Sequence, residues 1–227
     1  MAEALSAVSK EHPGYAGQAV YKTSFLRIYD LFVVGFSNRV IYRCPSRRFV
    51  ELYNSYAGRR HLDLGPGTGY FLLHCDWSDG PPDLTLADLN PDVLRYSAHQ
   101  LRKYQAEVVQ TDILQPLPFP DGSFDSIGIN FLLHCMPGPM REKGKVFTEA
   151  ARVLRSGGSL FGSTVIQEGG DHWWLARRMM RIYNRTGILS TTEDSLTDLK
   201  KCLADGFGDD YTVEVRGSVA VFTAQRR

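Results

Sequence analysis

Two regimes of apolar spacing divide the chain. From Tyr21 to Tyr56 apolar residues recur every three or four positions, as at Phe25, Ile28, Tyr29 and Phe32, which predicts amphipathic helices with a break at Cys44-Pro45. Beyond residue 60 the pattern shortens into apolar runs that end in polar or acidic residues: 61–64, 84–87 before Asp88, 108–111 before Asp112, and 124–130. Helical stretches separate several of them. Asn90-Pro91 supplies a cap and a first-turn proline for a helix running to about Lys103, and 143–155 sets Val146, Phe147, Ala150 and Leu154 on one face before Gly157-Gly158. A fifth strand is expected at 159–166, a helix at 171–183, and another opened by a capping box at Thr191–Asp194 and stopped at Gly206. Residues 211–227 alternate as two strands around Gly217-Ser218, a hairpin pattern. Strand and helix in alternation predict an α/β fold: a mostly parallel sheet with helices on both faces, an antiparallel hairpin at the C-terminal end and a helical cap of residues 1–56 in front.

The first strand runs directly into glycines, Leu62-Asp-Leu-Gly-Pro-Gly-Thr-Gly-Tyr-Phe71. Gly65, Gly67 and Gly69 let a ligand lie against backbone and permit positive φ. The dinucleotide fingerprint places its third glycine three positions after the second, whereas here the glycines alternate and Asp63 stands two before the first. Asp88 ends the second strand, where a carboxylate can accept hydrogen bonds from both ribose hydroxyls, and Asp112 takes the corresponding place one strand later. Either acid alone is also what a helix cap requires. Together after this loop they mark a nucleoside-type site, and Asp112-Ile113 offers an adenine edge a carboxylate and its face an aliphatic side chain, which a NAD site does not explain.

Composition narrows the function classes. The 227 residues carry 26 Lys and Arg against 25 Asp and Glu, a net charge of +1, so no global field favours nucleic acid or an acidic membrane. With 43% hydrophobic and 22% charged residues the chain is of ordinary globular composition. Cys44, Cys75, Cys135 and Cys202 lie far apart without metal-type spacing, so neither a metal site nor a disulfide framework is expected. No apolar leader or spanning segment stands near the N-terminus, and a cytoplasmic monomer or homodimer acting on a small molecule is expected, with no membrane or nucleic-acid partner.

With these residues in place, the chain resembles the class I S-adenosylmethionine-dependent methyltransferases from about Tyr29 to its C-terminus. Asp63-Leu-Gly-Pro-Gly-Thr-Gly69 is similar to the family's first motif, Ala87-Asp-Leu-Asn-Pro91 to the second and Thr111-Asp-Ile113 to the third. Phe119-Pro-Asp-Gly-Ser-Phe-Asp125 leading to Asn130-Phe-Leu-Leu-His134 looks like the fourth, and Ala151 to Gly158 like the approach to the fifth strand. The resemblance implies a Rossmann-like, seven-stranded, mostly parallel sheet at 57–227 and S-adenosylmethionine as cofactor. It further implies methyl transfer to an O, N, S or C atom of a small aromatic or lipophilic metabolite. The alternative is a protein of this fold that binds S-adenosylmethionine and catalyses a rearrangement or cyclisation without transferring methyl.

Carried over residue by residue, the resemblance puts Gly65, Gly67 and Gly69 along the methionine and ribose, Asp63 at the ammonium, Asp88 at the ribose and Asp112 at the adenine amino group. Leu89 and Ile113 sandwich the ring, Asn130 and Phe131 lie near the sulfonium, and Tyr29 lies near the carboxylate. His134, one turn beyond Asn130, is the candidate proton acceptor; a histidine there equally suits packing. Asn130 is followed by Phe-Leu-Leu rather than the Pro-Pro-aromatic segment of amine and base methylating enzymes, and Phe131 to Pro137 lacks the carboxylates of the metal-dependent catechol type. Substrate contacts are expected from Tyr21, Phe25 and His134, and from Trp173 and Trp174 in a lid helix inserted around 168–190, although each aromatic alone is ordinary core material.

Overall fold

The computed structural model describes residues 5–9, 11, 12, 15, 41–78 and 80–227. The first helix there, α1 (Arg47–Tyr56), feeds strand β1 (Arg60–Leu64), which is followed by the glycine loop and the single-turn helix α2 (Tyr70–Leu73). Then come β2 (Asp83–Asp88), α3 (Pro91–Gln100), β3 (Glu107–Gln110) and β4 (Phe124–Asn130). Helices α4 (Met140–Lys143) and α5 (Lys145–Val153) precede β5 (Leu154–Val165), and α6 (Trp174–Arg185) and α7 (Leu196–Phe207) precede the hairpin β6 (Tyr211–Arg216) and β7 (Val219–Gln225).

The seven strands form one sheet in the order β3-β2-β1-β4-β5-β7-β6. Pairings from β3 through β5 are parallel, and β7 joins β5 and β6 antiparallel. The expected Rossmann-like sheet with an antiparallel hairpin is therefore the fold. Chain order reverses between β1 and β4, so the loops leaving their carboxyl ends diverge and open a crevice.

Both faces are covered, and the alternation of each strand sorts its side chains between two cores. Leu62 and Leu64 of β1 join Ile127, Ile129 and Leu160 under Val146 and Phe147 of α5 and Leu199 and Leu203 of α7. On the other face Leu84, Leu86, Phe161 and Val165 meet Phe49, Leu52 and Tyr53 of α1, Leu94 of α3 and Met180 of α6. A parallel sheet is held by this two-sided burial, which is why β4 and the last half of β5 are buried almost without interruption.

Several boundaries differ by a few residues from those read off the sequence, the helix expected at 171–183 running from Trp174 to Arg185, and two of the differences have a visible cause. The strand β5 begins at Leu154, where it pairs with Phe124 before an irregularity in register, so the helix ahead of it ends at Val153. The capping box at Thr191–Asp194 does not form: α7 starts at Leu196, with Ser195 Oγ accepting from the Asp198 amide at 3.0 Å. Stronger partners claim the box residues. Asn184 Nδ2 donates to Thr191 Oγ1 at 2.9 Å, and Asp194 is buried against Lys143, whose Nζ donates to Oδ2 at 2.7 Å, to Oδ1 at 3.0 Å and to the Ser190 carbonyl.

That ion pair staples the segment after β4 to the segment before α7. Burial pushes the lysine pKa down and the aspartate pKa up, and their mutual attraction opposes both shifts. Lys143→Met would strand a buried carboxylate and is expected to cost about 3–5 kcal/mol in urea denaturation. Adding Asp194→Leu should recover most of that loss; a single variant as stable as the parent would show that the pair does not hold these segments.

Candidate active site

Four strand ends build the site. After Leu64 the chain turns away from the sheet with Gly65 at φ +71°, and its amide donates to the Ala87 carbonyl at 2.8 Å. A Cβ at Gly65 would lie 2.7 Å from Leu132, so the glycine lets the loops after β1 and β4 close on each other. Gly67 is different. At φ +57° its absent Cβ faces nothing within 4 Å, so the loop presents bare backbone to open space, the surface a close-lying ligand needs.

At the end of β2, Asp88 Oδ1 accepts from the Asn90 amide at 2.7 Å, while Asn90 caps α3 by accepting from the Asp92 amide. Asp88 keeps partial solvent access at its tip, yet enough protein surrounds it for burial to raise its pKa to about 7, against the pull of the Asn90 and Leu89 amides. Beyond β3, Asp112 Oδ1 accepts from the Leu114 amide at 3.0 Å, and Oδ2 lies 3.3 Å from His12 Nε2. Ile113 is buried in the core beside it. Gln110, at the last position of β3, holds the Leu89 carbonyl at 3.0 Å and both backbone groups of Ser6 at 2.7 Å. The N-terminal strap thus crosses the strand ends beside the two acids.

The fourth strand ends in strain. Phe131 takes φ +55°, a conformation costly for a side chain of that size. It is held by its amide bond to the Ser163 carbonyl and by the edge of Phe49, 4.7 Å away between centroids. Just before it, Asn130 is buried; Oδ1 accepts from Ser163 Oγ at 2.9 Å, and Nδ2 has no hydrogen-bond partner. The amide lies close to the Tyr53 phenol without the geometry of a hydrogen bond, and burial and the Asp63 charge, outweighing its pull, hold the phenol pKa well up. An unpaired buried donor beside a strained residue, at the mouth of the crevice, fits a site that a polar ligand completes.

Known proteins place this geometry in a family. A model of the methyltransferase domain matches residues 62–162. Demethylluteothin O-methyltransferase of Streptomyces thioluteus is 36% identical over 92% of this chain and 90% of its own. The Physcion biosynthesis cluster O-methyltransferase of Aspergillus chevalieri is 34% identical over 94% and 96%. The chain belongs to the class I S-adenosylmethionine-dependent methyltransferases. Among solved structures, the cyclase SpnF superposes with a TM-score of 0.65 over 94% of this chain and 96% of its own at 18% identity, which is a likeness of fold alone.

The residues present suit the methyltransferase cofactor: bare backbone at Gly67, a carboxylate at each of the next two strand ends, and a donor without a partner at Asn130. Tyr21, Phe25 and Tyr29 lie outside the described residues. Among the described residues no group of three His, Cys, Asp or Glu side chains gathers as a metal site, and no helix is long and apolar enough to cross a membrane.

Three expected contributors sit differently from the sequence reading. His134 is buried on a single turn after β4, and its Nδ1 accepts from the Val165 amide at 3.3 Å. With Nδ1 an acceptor, the neutral ring carries its proton on Nε2, where it donates rather than abstracts. Burial, helped by the Lys143 charge, holds its pKa down at about 3. Trp173 packs: its Nε1 donates to the Ile41 carbonyl at 2.8 Å, and Arg43 stacks 4.7 Å above the ring. Trp174 is 69% exposed, because the buried stripe of α6 falls on Ala176 and Met180.

Sequence reasoning passed over Tyr53 and His61, which enclose Asp63. The available signal was in β1 itself: in a strand covered on both faces, the alternation His-Leu-Asp-Leu buries its polar members too, so they need partners inside. For His134 the expectation is that its ring resonances do not titrate between pH 5 and 8 in an NMR series. A midpoint within that range would restore it as a proton acceptor.

Proposed function

We propose that the protein transfers a methyl group from S-adenosylmethionine to a hydroxyl oxygen of a small aromatic or lipophilic metabolite. The cofactor follows from the family; the choice of oxygen rests on the near-full-length relatives named as O-methyltransferases. Residues 57–227 are read as the catalytic domain, with the preceding segment and α6 as its cover.

When bound, S-adenosylmethionine supplies a methyl on a sulfonium already activated for in-line displacement, so the protein's work is alignment and exclusion of water. In this reading the backbone of Gly65, Gly67 and Gly69 lies along the methionine and ribose. Asp63 orients the ammonium, Asp88 accepts from the ribose hydroxyls and Asp112 from the adenine amino group, with Leu89 and Ile113 on the ring faces. Asn130 and Phe131 border the reacting methyl, where the free Asn130 Nδ2 can donate to a ligand oxygen. His134 shapes this wall and donates through Nε2. A donor at that position suits an acceptor that ionises readily by itself, such as a phenolic or enolic hydroxyl, whose proton is lost to bulk water before the oxyanion attacks, the carbon–oxygen bond then forming as the carbon–sulfur bond breaks.

The carrying observation is the conjunction of the open Gly67 backbone with Asp88 and Asp112 at successive strand ends. Turnover decides the chemistry: a panel of phenolic polyketides and quinols with S-adenosylmethionine should yield S-adenosylhomocysteine and a product heavier by one methylene. Product isomerised without S-adenosylhomocysteine would transfer the assignment to rearrangement chemistry.

Asp88 adds a pH dependence whose sign is fixed. Ribose hydroxyls donate to the carboxylate, so binding favours the charged form, and the ligand-free pKa of about 7 means that form is lost as pH falls through neutrality. Calorimetric affinity for S-adenosylhomocysteine should be flat above pH 8 and decline below 7, approaching about tenfold per pH unit. Asp88→Asn should bind at least about tenfold more weakly at pH 8 and lose the slope. An unchanged slope in the variant would move the titrating group elsewhere.

A further inference from the structure

Tyr53 and His61 belong to no part of the reading above, yet they surround the first acid of the glycine motif. Asp63 is 1% exposed. Tyr53 Oη on α1 donates to its Oδ2 at 2.5 Å, and His61 Nε2, two residues earlier on β1, lies 3.5 Å from the same oxygen. On the far side of the imidazole, Nδ1 and Ser126 Oγ of β4 are 2.8 Å apart, and that hydroxyl accepts from the Gly58 amide at 2.7 Å.

Proton bookkeeping orders the chain. With Gly58 donating to Ser126 Oγ, the hydroxyl has its hydrogen to give to His61 Nδ1, and we assign the ring proton to Nε2, the nitrogen that faces the Asp63 carboxylate. The tyrosine stays protonated throughout the working range, since burial and the Asp63 charge raise its pKa well above 10. Sterics close the remaining sides: a Cβ at Gly128 would stand 3.2 Å from Asp63 Oδ2 and 3.3 Å from the Tyr53 ring, and Phe161 lies parallel to the His61 ring at 5.6 Å.

We infer that Tyr53, backed by His61 and Ser126, is a positioning residue for the cofactor's amino group: both contacts fall on Oδ2 of Asp63, fixing the carboxylate so that Oδ1 meets the ammonium. The inference rests on the role proposed for Asp63. Its chemistry is that of an oriented, desolvated carboxylate, whose hold on a cation depends on geometry more than on charge alone. His61 Nε2 has no hydrogen bond of normal geometry, so its N–H contributes a dipole and shape at 3.5 Å and the tyrosine carries the orientation.

A pair of ligands separates positioning from packing. S-adenosylhomocysteine carries the amino acid end; methylthioadenosine shares its adenosine and lacks that end. In calorimetry, Tyr53→Phe should weaken S-adenosylhomocysteine about tenfold and leave methylthioadenosine within about twofold, because only the former presents an ammonium. Equal loss for both ligands, or loss for neither, would overturn the assignment of Tyr53. Asp63→Asn tests the underlying role separately: it should erase most of the preference for S-adenosylhomocysteine, and Tyr53→Phe added to it should change nothing further. If Asp63→Asn keeps the full preference, the role of Asp63 fails and the inference falls with it. If Asp63→Asn loses the preference while Tyr53→Phe keeps it, only the positioning role fails. Thermal melts of both variants confirm that the folded protein is being titrated.

Discussion

A central parallel strand has no solvent face, and β1 nevertheless carries a histidine and a carboxylate. Its polar side chains must find their partners within the protein, because water cannot reach them and an unpaired buried charge costs several kcal/mol. The answers come from two elements, Tyr53 of α1 for Asp63 and Ser126 of β4 for His61 Nδ1, with the Gly58 amide holding the serine hydroxyl in turn and His61 Nε2 left facing Asp63 at 3.5 Å. Docking of α1 is thereby made specific as well as apolar. Phe49 and Leu52 would pack in several rotations of the helix, but only one delivers the Tyr53 hydroxyl to Asp63. Gly128 is the complement of that choice, for any larger residue would enter the space the tyrosine and carboxylate share.

The same economy governs the strand ends. Turning a ligand-binding loop out of a parallel sheet requires backbone that side chains tolerate poorly, and the fold concentrates such backbone between β1 and β4. Gly65 and Gly67 take positive φ without strain, whereas Phe131 takes it at a cost. Its ring is gripped by Phe49 and Phe71, the residues of α1 and α2 that flank the glycine loop. Strain at β4 is therefore held in place by aromatic packing from the β1 side, so the two walls of the crevice are mechanically one unit.

Much of this was legible in the chain because it is local or periodic. Strand and helix alternation, the glycine spacing and the acids at 88 and 112 are patterns within a few residues; the parallel sheet and hairpin follow from the first, and the proposed nucleoside site is read from the others. What escaped was decided by distant partners. Thr191–Asp194 has the letters of a capping box, but Asn184 and Lys143 outbid the helix for its side chains. His134 looked like a base because sequence shows a residue type and not which nitrogen is already bonded. Trp173 and Trp174 are adjacent in sequence, but Trp173 is the extended residue just before α6 and Trp174 its first helical residue, and the change of backbone sends one toward Ile41 and the other into solvent.

Cofactor and substrate make different demands, and the structure separates them by the kind of support each receives. The groups assigned to the cofactor are borne by strand ends and by backbone, braced by the sheet and by α1, so they tolerate little movement. Of the segments proposed for the substrate, α6 buries Ala176 and Met180 against the sheet, and its N-terminal end is tied by the Trp173 bond to Ile41 and by His172 Nδ1 at 2.9 Å from Ser218 Oγ. Beyond those ties Trp174, Arg177, Arg178 and Ile182 remain exposed on α6. In the proposed reading, a cofactor site on braced strand ends beside a helix with an exposed outer face is an arrangement in which acceptor range can diverge while cofactor binding is retained.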